Sequence, residues 1–172
     1  MARRSLAVGL LLPVLLPLAS CVGAGDRARG EQQLAFGLDA TSGRVVMVVH
    51  PCPGQSLTAA TVWSMDNKGE ELDRKLWSVT ATGAASPGAT SLRLVVGQAP
   101  ADFTEDTPLG DDLPAGAPLD ATIQLDSEIG RGFRVRDLRK DMLLVDPPWF
   151  HNKRYVTSDE FEQVNAKECG GA

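Results

Sequence analysis

The sequence predicts an all-β fold, an antiparallel β-sandwich of the immunoglobulin-like type with one short C-terminal helix. About nine short runs rich in β-branched or alternating apolar residues follow one another from residue 34 onwards. Turns rich in Gly, Pro and Asp separate these runs, and no long amphipathic helix lies between them. Regular short strands without intervening helices are typical of sandwiches and barrels.

The predicted strands differ in how much of their surface they bury. The run 44–50 is apolar nearly throughout, which indicates a central strand covered on both faces. Trp63 and Trp77 fall within strands and are predicted to lie in the core. The complete set of predicted strands is 34–38, 44–50, 58–65, 76–82, 91–97, 119–125, 133–136, 142–145 and 154–158.

Two further segments complete the domain. Residues 157–160 have the sequence of a helix capping box, and Phe161 and Val164 follow on one helical face, so we expect one short helix towards Cys169. Residues 99–118 contain four prolines and are predicted to be a long loop. Its acidic side chains lack the spacing of a calcium-binding loop; they are Asp102, Glu105, Asp106, Asp111 and Asp112.

The N-terminal segment has the layout of an export signal. Arg3 and Arg4 precede an apolar run, 6–18, that is too short to span a bilayer as a helix. The run ends in Leu18-Ala19-Ser20-Cys21, which resembles the lipobox of bacterial lipoproteins. The resemblance implies cleavage before Cys21 and lipid on its sulfur and new amino group, enough acyl chains for stable anchoring.

The predicted organisation therefore has three parts. Residues 1–20 are a signal peptide, 21–33 are the lipidated cysteine with a flexible tether, and 34–172 are a single sandwich domain. We expect the domain to lie on the extracytoplasmic face of the cell membrane. The general secretory route fits the signal better than the twin-arginine route, because the residues after the arginine pair match the twin-arginine pattern poorly.

Charge and cysteine content add two expectations. Residues 1–20 hold two of the 17 basic residues and none of the 22 acidic ones, which leaves the mature chain with a net charge of −7. Such a chain is not expected to bind nucleic acid. With Cys21 assigned to lipid, Cys52 and Cys169 remain in an oxidising compartment, and we expect them to form a disulfide.

The sequence predicts the location of the protein in more detail than its function. The motifs of serine hydrolases, zinc proteases and phosphate-binding loops are missing, so we expect a non-catalytic binding or accessory module with no cofactor or metal, acting on an envelope protein or a cell-wall polymer. One alternative is an envelope hydrolase that uses carboxylates. The other is a copper protein with ligands from His50, Cys52 and His151, together with Met47 or Met142.

The segment 146–151 is the most unusual stretch of the domain. Two prolines precede Trp149, Phe150 and His151, and two adjacent aromatic side chains cannot both face inwards on a strand. These three residues are therefore a candidate ligand contact, as exposed aromatics often bind carbohydrate or protein. The alternative is that both rings pack over an open end of the sandwich.

Overall fold

Two five-stranded antiparallel sheets pack face to face in the computed structural model, which confirms the predicted β-sandwich. The structure describes residues 33–66, 68, 71–83, 91–145 and 153–170. Its strands are β1 (Leu34–Leu38), β2 (Val45–Val49), β3 (Ala59–Met65), β4 (Leu72–Ala81), β5 (Leu92–Val95), β6 (Phe103–Thr107), β7 (Leu119–Gln124), β8 (Glu128–Phe133), β9 (Leu143–Leu144) and β10 (Tyr155–Val156). One helix, α1 (Ser158–Cys169), follows β10.

The strand order is that of an immunoglobulin-like sandwich with additions. The first sheet has the order β10-β9-β1-β2-β5 and the second has the order β6-β4-β3-β7-β8. The neighbours β1-β2-β5 correspond to strands A, B and E of that fold, and β3-β7-β8 correspond to C, F and G, with β4 beside C. The remaining strands, β6, β9 and β10, extend the two sheets.

Alternation of side chains along the strands creates the core between the sheets. In β7, Leu119, Ala121 and Ile123 are buried, and the residues between them are partly exposed. Phe36 of the first sheet stacks on Phe133 of the second, with ring centroids 4.5 Å apart. The contact joins the two inner faces near the middle of the sandwich.

The strand β2 is covered on both faces, as the sequence predicts. Its odd-numbered residues belong to the main core, whereas Val46 and Val48 belong to a second cluster on the outer side of the first sheet. Phe161 of α1 belongs to this second cluster as well. The helix therefore covers the outer face of the first sheet, and a run of five buried residues is the consequence.

The capping box begins α1 as predicted. The Thr157 hydroxyl accepts a hydrogen bond from the Glu160 backbone N–H at 3.2 Å, and the Glu160 carboxylate accepts one from the Thr157 backbone N–H at 2.8 Å. Hydrogen bonds from the Thr157 backbone N–H and hydroxyl to the Glu160 carboxylate lower the pKa of Glu160. The helix runs to Cys169, whose sulfur is bonded to that of Cys52, so the predicted disulfide is present.

Gln33 belongs to the folded domain, although the sequence analysis places it in the tether. Its side chain is buried, and its amide nitrogen donates to the His50 carbonyl oxygen at 3.1 Å and to the Gln55 side-chain oxygen at 2.7 Å. The same nitrogen lies 3.3 Å from the Cys52 sulfur. A polar side chain can be buried here because these acceptors satisfy it.

Three predictions of secondary structure and one of core burial need correction. A strand, β6, lies inside the predicted loop 99–118, because its alternating residues pair with the edge of β4. The strand predicted at 133–136 lies earlier in the chain: β8 runs from Glu128 to Phe133, and a 3₁₀ helix, Val135–Asp137, follows it. β4 begins four residues earlier than predicted. Trp77 is buried as predicted, but Trp63 is partly exposed. Its neighbour Val62 faces the core, so Trp63 lies on the opposite side of the strand.

Replacing both Cys52 and Cys169 by serine is expected to lower the free energy of unfolding by about 2–5 kcal/mol, because the bond closes a long loop in the denatured chain. The two cysteines are 117 residues apart. Urea denaturation of the purified protein, with and without reductant, measures this. Reduced wild type should unfold like the double variant, and identical midpoints in all samples would contradict the prediction.

Candidate ligand-binding site

The two ends of the sandwich differ in what they carry. Leu34 pairs with Val49 at one end of the β1–β2 hairpin and Leu38 pairs with Val45 at the other. We call the end with Gln33, His50 and the disulfide the entry end, and the end with the turn 39–44 the distal end. The five-residue strands separate these ends by about 15 Å.

The distal end contains a cleft of about 290 Å³ between the two sheets. Its base is apolar and its rim carries the side chains of Ser42, Arg44 and Asp112. Small-molecule sites commonly combine an apolar base with a few polar groups. The apolar residues of the base are Val45, Val96, Leu109, Leu113 and Val135.

A second cleft, of about 220 Å³, lies on the other side of the segment 108–114. Arg74 and Lys75 of β4 line one wall, and Asp111 and Asp112 line the other. The two clefts share Leu109, Asp112 and Leu113 of this segment, so one connection between β6 and β7 shapes both of them. We call the pair the distal clefts.

The outer face of the second sheet carries another group of side chains, which shares Lys75 with the second cleft. Trp63 of β3 lies between Lys75 of β4 and Asp120 of β7 in the strand register. The Trp63 indole nitrogen donates to the Thr122 hydroxyl at 3.3 Å, and the Lys75 ammonium lies 5.3 Å from the ring centroid. That distance is within the range of a cation–π contact.

Gly130 of β8 borders this group. A Cβ atom at Gly130 would lie 3.5 Å from an Asp120 carboxylate oxygen and 3.5 Å from the Thr122 methyl group. We call the surface formed by Trp63, Lys75, Asp120, Thr122 and Gly130 the Trp63 face. Asp120 is its most perturbed group, because burial raises its pKa from 3.8 to about 6 and the Glu128 carboxylate adds to the rise.

The acidic residues of 99–118 do not act as one group. The Glu105 carboxylate accepts a hydrogen bond from the Trp77 indole nitrogen at 2.8 Å, and the Asp106 carboxylate accepts one from the Thr80 hydroxyl at 2.6 Å. Both carboxylates therefore support β4. Asp111 and Asp112 line the distal clefts instead.

The disulfide removes the thiolate that a copper site at His50 and Cys52 would need. The His50 ring lies 3.0 Å from the Ser91 hydroxyl through Nδ1, and burial lowers its pKa although the Glu162 carboxylate acts in the opposite direction. No three His, Cys, Asp or Glu side chains of the described residues are grouped as a metal site would require.

Several predicted positions cannot be placed on this structure. Cys21 and Trp149, Phe150 and His151 lie outside the described residues. The chain on either side of the aromatic segment is described: the Val145 backbone N–H donates to the Arg154 carbonyl oxygen at 3.1 Å. Neither the distal clefts nor the Trp63 face has a signature in the sequence, although strict alternation along β3 places Trp63 on the side opposite the buried Val62.

Comparison with known proteins identifies no relative. No family model, no curated protein and no solved structure matches the chain. Among the described residues no helix is both long enough and apolar enough to cross a membrane.

Glu105→Ala is expected to lower the free energy of unfolding by about 1–3 kcal/mol, because it leaves the indole N–H of the buried Trp77 without its acceptor. Glu105→Gln keeps a side-chain carbonyl and should cost less. Asp102→Ala, at an exposed position just before the same strand, is the control and should leave the free energy of unfolding unchanged. Equal losses for both Glu105 variants in chemical denaturation would contradict this role.

Asp120→Asn is expected to raise the free energy of unfolding at pH 7.5 by about 1–2 kcal/mol. The pKa of Asp120 is higher in the folded than in the unfolded chain, so its charge destabilises the fold above about pH 6, and the penalty fades as the pH falls from about 6 towards 4. The full rise in the pKa of Asp120 would correspond to a destabilisation of about 3 kcal/mol, and partial exposure to solvent reduces this value.

Denaturation at a series of pH values measures this difference, and Asp126→Asn, in the exposed turn after β7, is the matched control. The gain from Asp120→Asn should shrink as the pH approaches 4. A gain that is independent of pH, or a similar gain from Asp126→Asn, would contradict the assignment.

Proposed function

We propose that this chain is a lipid-anchored extracytoplasmic lipoprotein whose sandwich is a non-catalytic binding or accessory module of the cell envelope. The observation that carries the proposal is the position of the distal clefts relative to the start of the domain. Gln33, the first described residue, lies at the entry end, and the clefts lie at the opposite end. A lipid on Cys21 would therefore leave the clefts facing away from the membrane.

The distance from the anchor to the domain fits this arrangement. Gln33 follows Cys21 by twelve positions, and the intervening sequence is rich in Gly and charged residues. A flexible coil of this length spans roughly 20 Å. Together with the height of the sandwich, such a tether holds the distal clefts about 35 Å from the lipid surface, within reach of a wall polymer or an envelope protein.

Two observations favour binding over the alternatives. Glu105 and Asp106 of the predicted acidic loop are engaged by Trp77 and Thr80, which leaves fewer carboxylates for hydrolysis. The sulfur of Cys52 is in a disulfide, so metal handling through its thiolate is not supported. A cleft with an apolar base and a mixed-charge rim suits reversible binding.

Lipid anchoring is tested by following Cys21 in a bacterial host. Wild type should incorporate an alkyne-tagged fatty acid, and globomycin, which inhibits the lipoprotein signal peptidase, should cause the uncut precursor to accumulate. Cys21→Ser should abolish labelling. Ser20→Ala, which keeps a small residue before the cysteine, is the matched control and should be processed and labelled normally.

Either of two results would reject the anchoring proposal. One is a wild-type protein that takes up no fatty acid and is processed normally in globomycin. The other is labelling that persists in Cys21→Ser. The folded domain should be unaffected in both variants, because the described residues begin at Gln33, twelve positions after Cys21.

A further inference from the structure

We propose that the Trp63 face is a binding site for a neutral polysaccharide chain. The proposal concerns the outer face of the second sheet rather than the distal clefts, and it does not depend on lipid anchoring. Three features support it: an indole ring whose polar atom is already hydrogen-bonded, a carboxyl group beside the ring with an ammonium group over it, and a glycine that keeps the adjacent surface clear.

The indole ring offers an apolar surface with a fixed position. Its only polar atom, Nε1, donates to the Thr122 hydroxyl at 3.3 Å, and the Lys75 ammonium lies over one face of the ring, so the carbon atoms of the opposite face are those that a ligand can contact. Trp63 is partly exposed in a central strand that pairs with β4 on one side and β7 on the other. A rigid amphipathic ring of this kind suits the C–H-bearing face of a sugar.

The groups beside the ring match the hydroxyls of a sugar. The Asp120 carboxyl receives no hydrogen bond from the described residues, and the Lys75 side chain is exposed. A carboxylate is an acceptor and an ammonium group is a donor, so together they can bind hydroxyl groups, which act in both ways. The charges of Asp120 and Lys75 balance each other, and the whole chain has a net charge of −5. A neutral polymer is therefore favoured over an acidic one.

Gly130 gives an independent indication that something approaches this face. A glycine weakens a strand, and in a strand interior it often marks a close approach by a ligand. Gly130 has no left-handed backbone angle that would require glycine, and it is exposed beside Asp120 and Thr122. Backbone geometry therefore does not explain the glycine at position 130, whereas the need to keep space for a ligand does.

The position within the sheet favours a polysaccharide over an extended peptide. Peptides commonly bind sheets by adding a strand at an edge, through backbone hydrogen bonds. β3 and β7 are hydrogen-bonded on both sides, so their backbones have no free edge. From β4 to β7 the register places Lys75, Trp63 and Asp120 in one row across three strands, about 10 Å wide, and the next position in the row, Gly132 of β8, is buried.

The test measures binding of purified protein, expressed from the full-length gene, to neutral hexasaccharides by isothermal titration calorimetry. The probes are cellohexaose, maltohexaose, mannohexaose and xylohexaose, with polygalacturonate as the acidic comparison. At least one neutral probe should bind wild type. Trp63→Ala should weaken that binding about tenfold or more, a loss comparable to one good contact.

Gly130→Val separates binding from folding. A valine suits a strand, and its Cβ would make only ordinary contacts, so the variant should be as stable as wild type in denaturation. Its side chain should nevertheless block the surface beside Asp120 and reduce affinity about tenfold. Gly83→Val, at an open position after β4, is the matched control and should bind like wild type.

Three outcomes would overturn the proposal. Wild type that binds none of the four neutral probes at millimolar concentration contradicts it. So does unchanged affinity in both Trp63→Ala and Gly130→Val, provided that both variants are folded. Tighter binding of polygalacturonate than of every neutral probe would reject the assigned ligand class. None of these outcomes bears on the lipid at Cys21.

Discussion

The bond between Cys52 and Cys169 brings the beginning and the end of the folded chain to one end of the sandwich. Cys169 closes α1, and Cys52 follows β2 directly. Gln33, just before β1, donates to groups on both sides of Cys52. The connections at the distal end have no disulfide among the described residues and are held by hydrogen bonds and ion pairs instead, such as those of Asp39 with Ser42 and of Asp137 with Lys153.

The outer faces of the two sheets are covered differently. α1 covers the first sheet through Phe161, so β2 buries five consecutive residues. The second sheet has no such helix among the described residues, and its outward positions hold Trp63, Asp120 and Thr122 instead of a uniform set of small polar residues. The Trp63 ring lies on the outer face and is not part of the core, and this makes the face a candidate for ligand binding.

The sequence was sufficient for the features that follow from side-chain periodicity and local hydrogen bonding. The apolar run at β2 and the capping box at Thr157 each depend on a few neighbouring residues, and both are present. The pairing of Cys52 with Cys169 followed from a count of cysteines. Such features involve few alternatives, so the residues alone were sufficient to predict them.

The features that the sequence did not reveal depend on distant neighbours. β6 has the polar sequence FTEDT and becomes a strand because β4 has an edge to pair with. Trp63 looked like a core residue by type, yet its side chain points outwards because Val62 is buried. The distal clefts need the segment 108–114 to cross the open end of the sandwich, which no local pattern predicts.

The Trp63 face and the distal clefts would contribute to binding in different ways. The first is built on paired central strands, so its groups are held in place before a ligand arrives and little order is lost on binding. The clefts depend on one connecting segment and have more freedom to adapt. A single aromatic surface binds a polymer weakly, but many copies held on one membrane would engage the same chain together, so anchoring and glycan binding would strengthen each other.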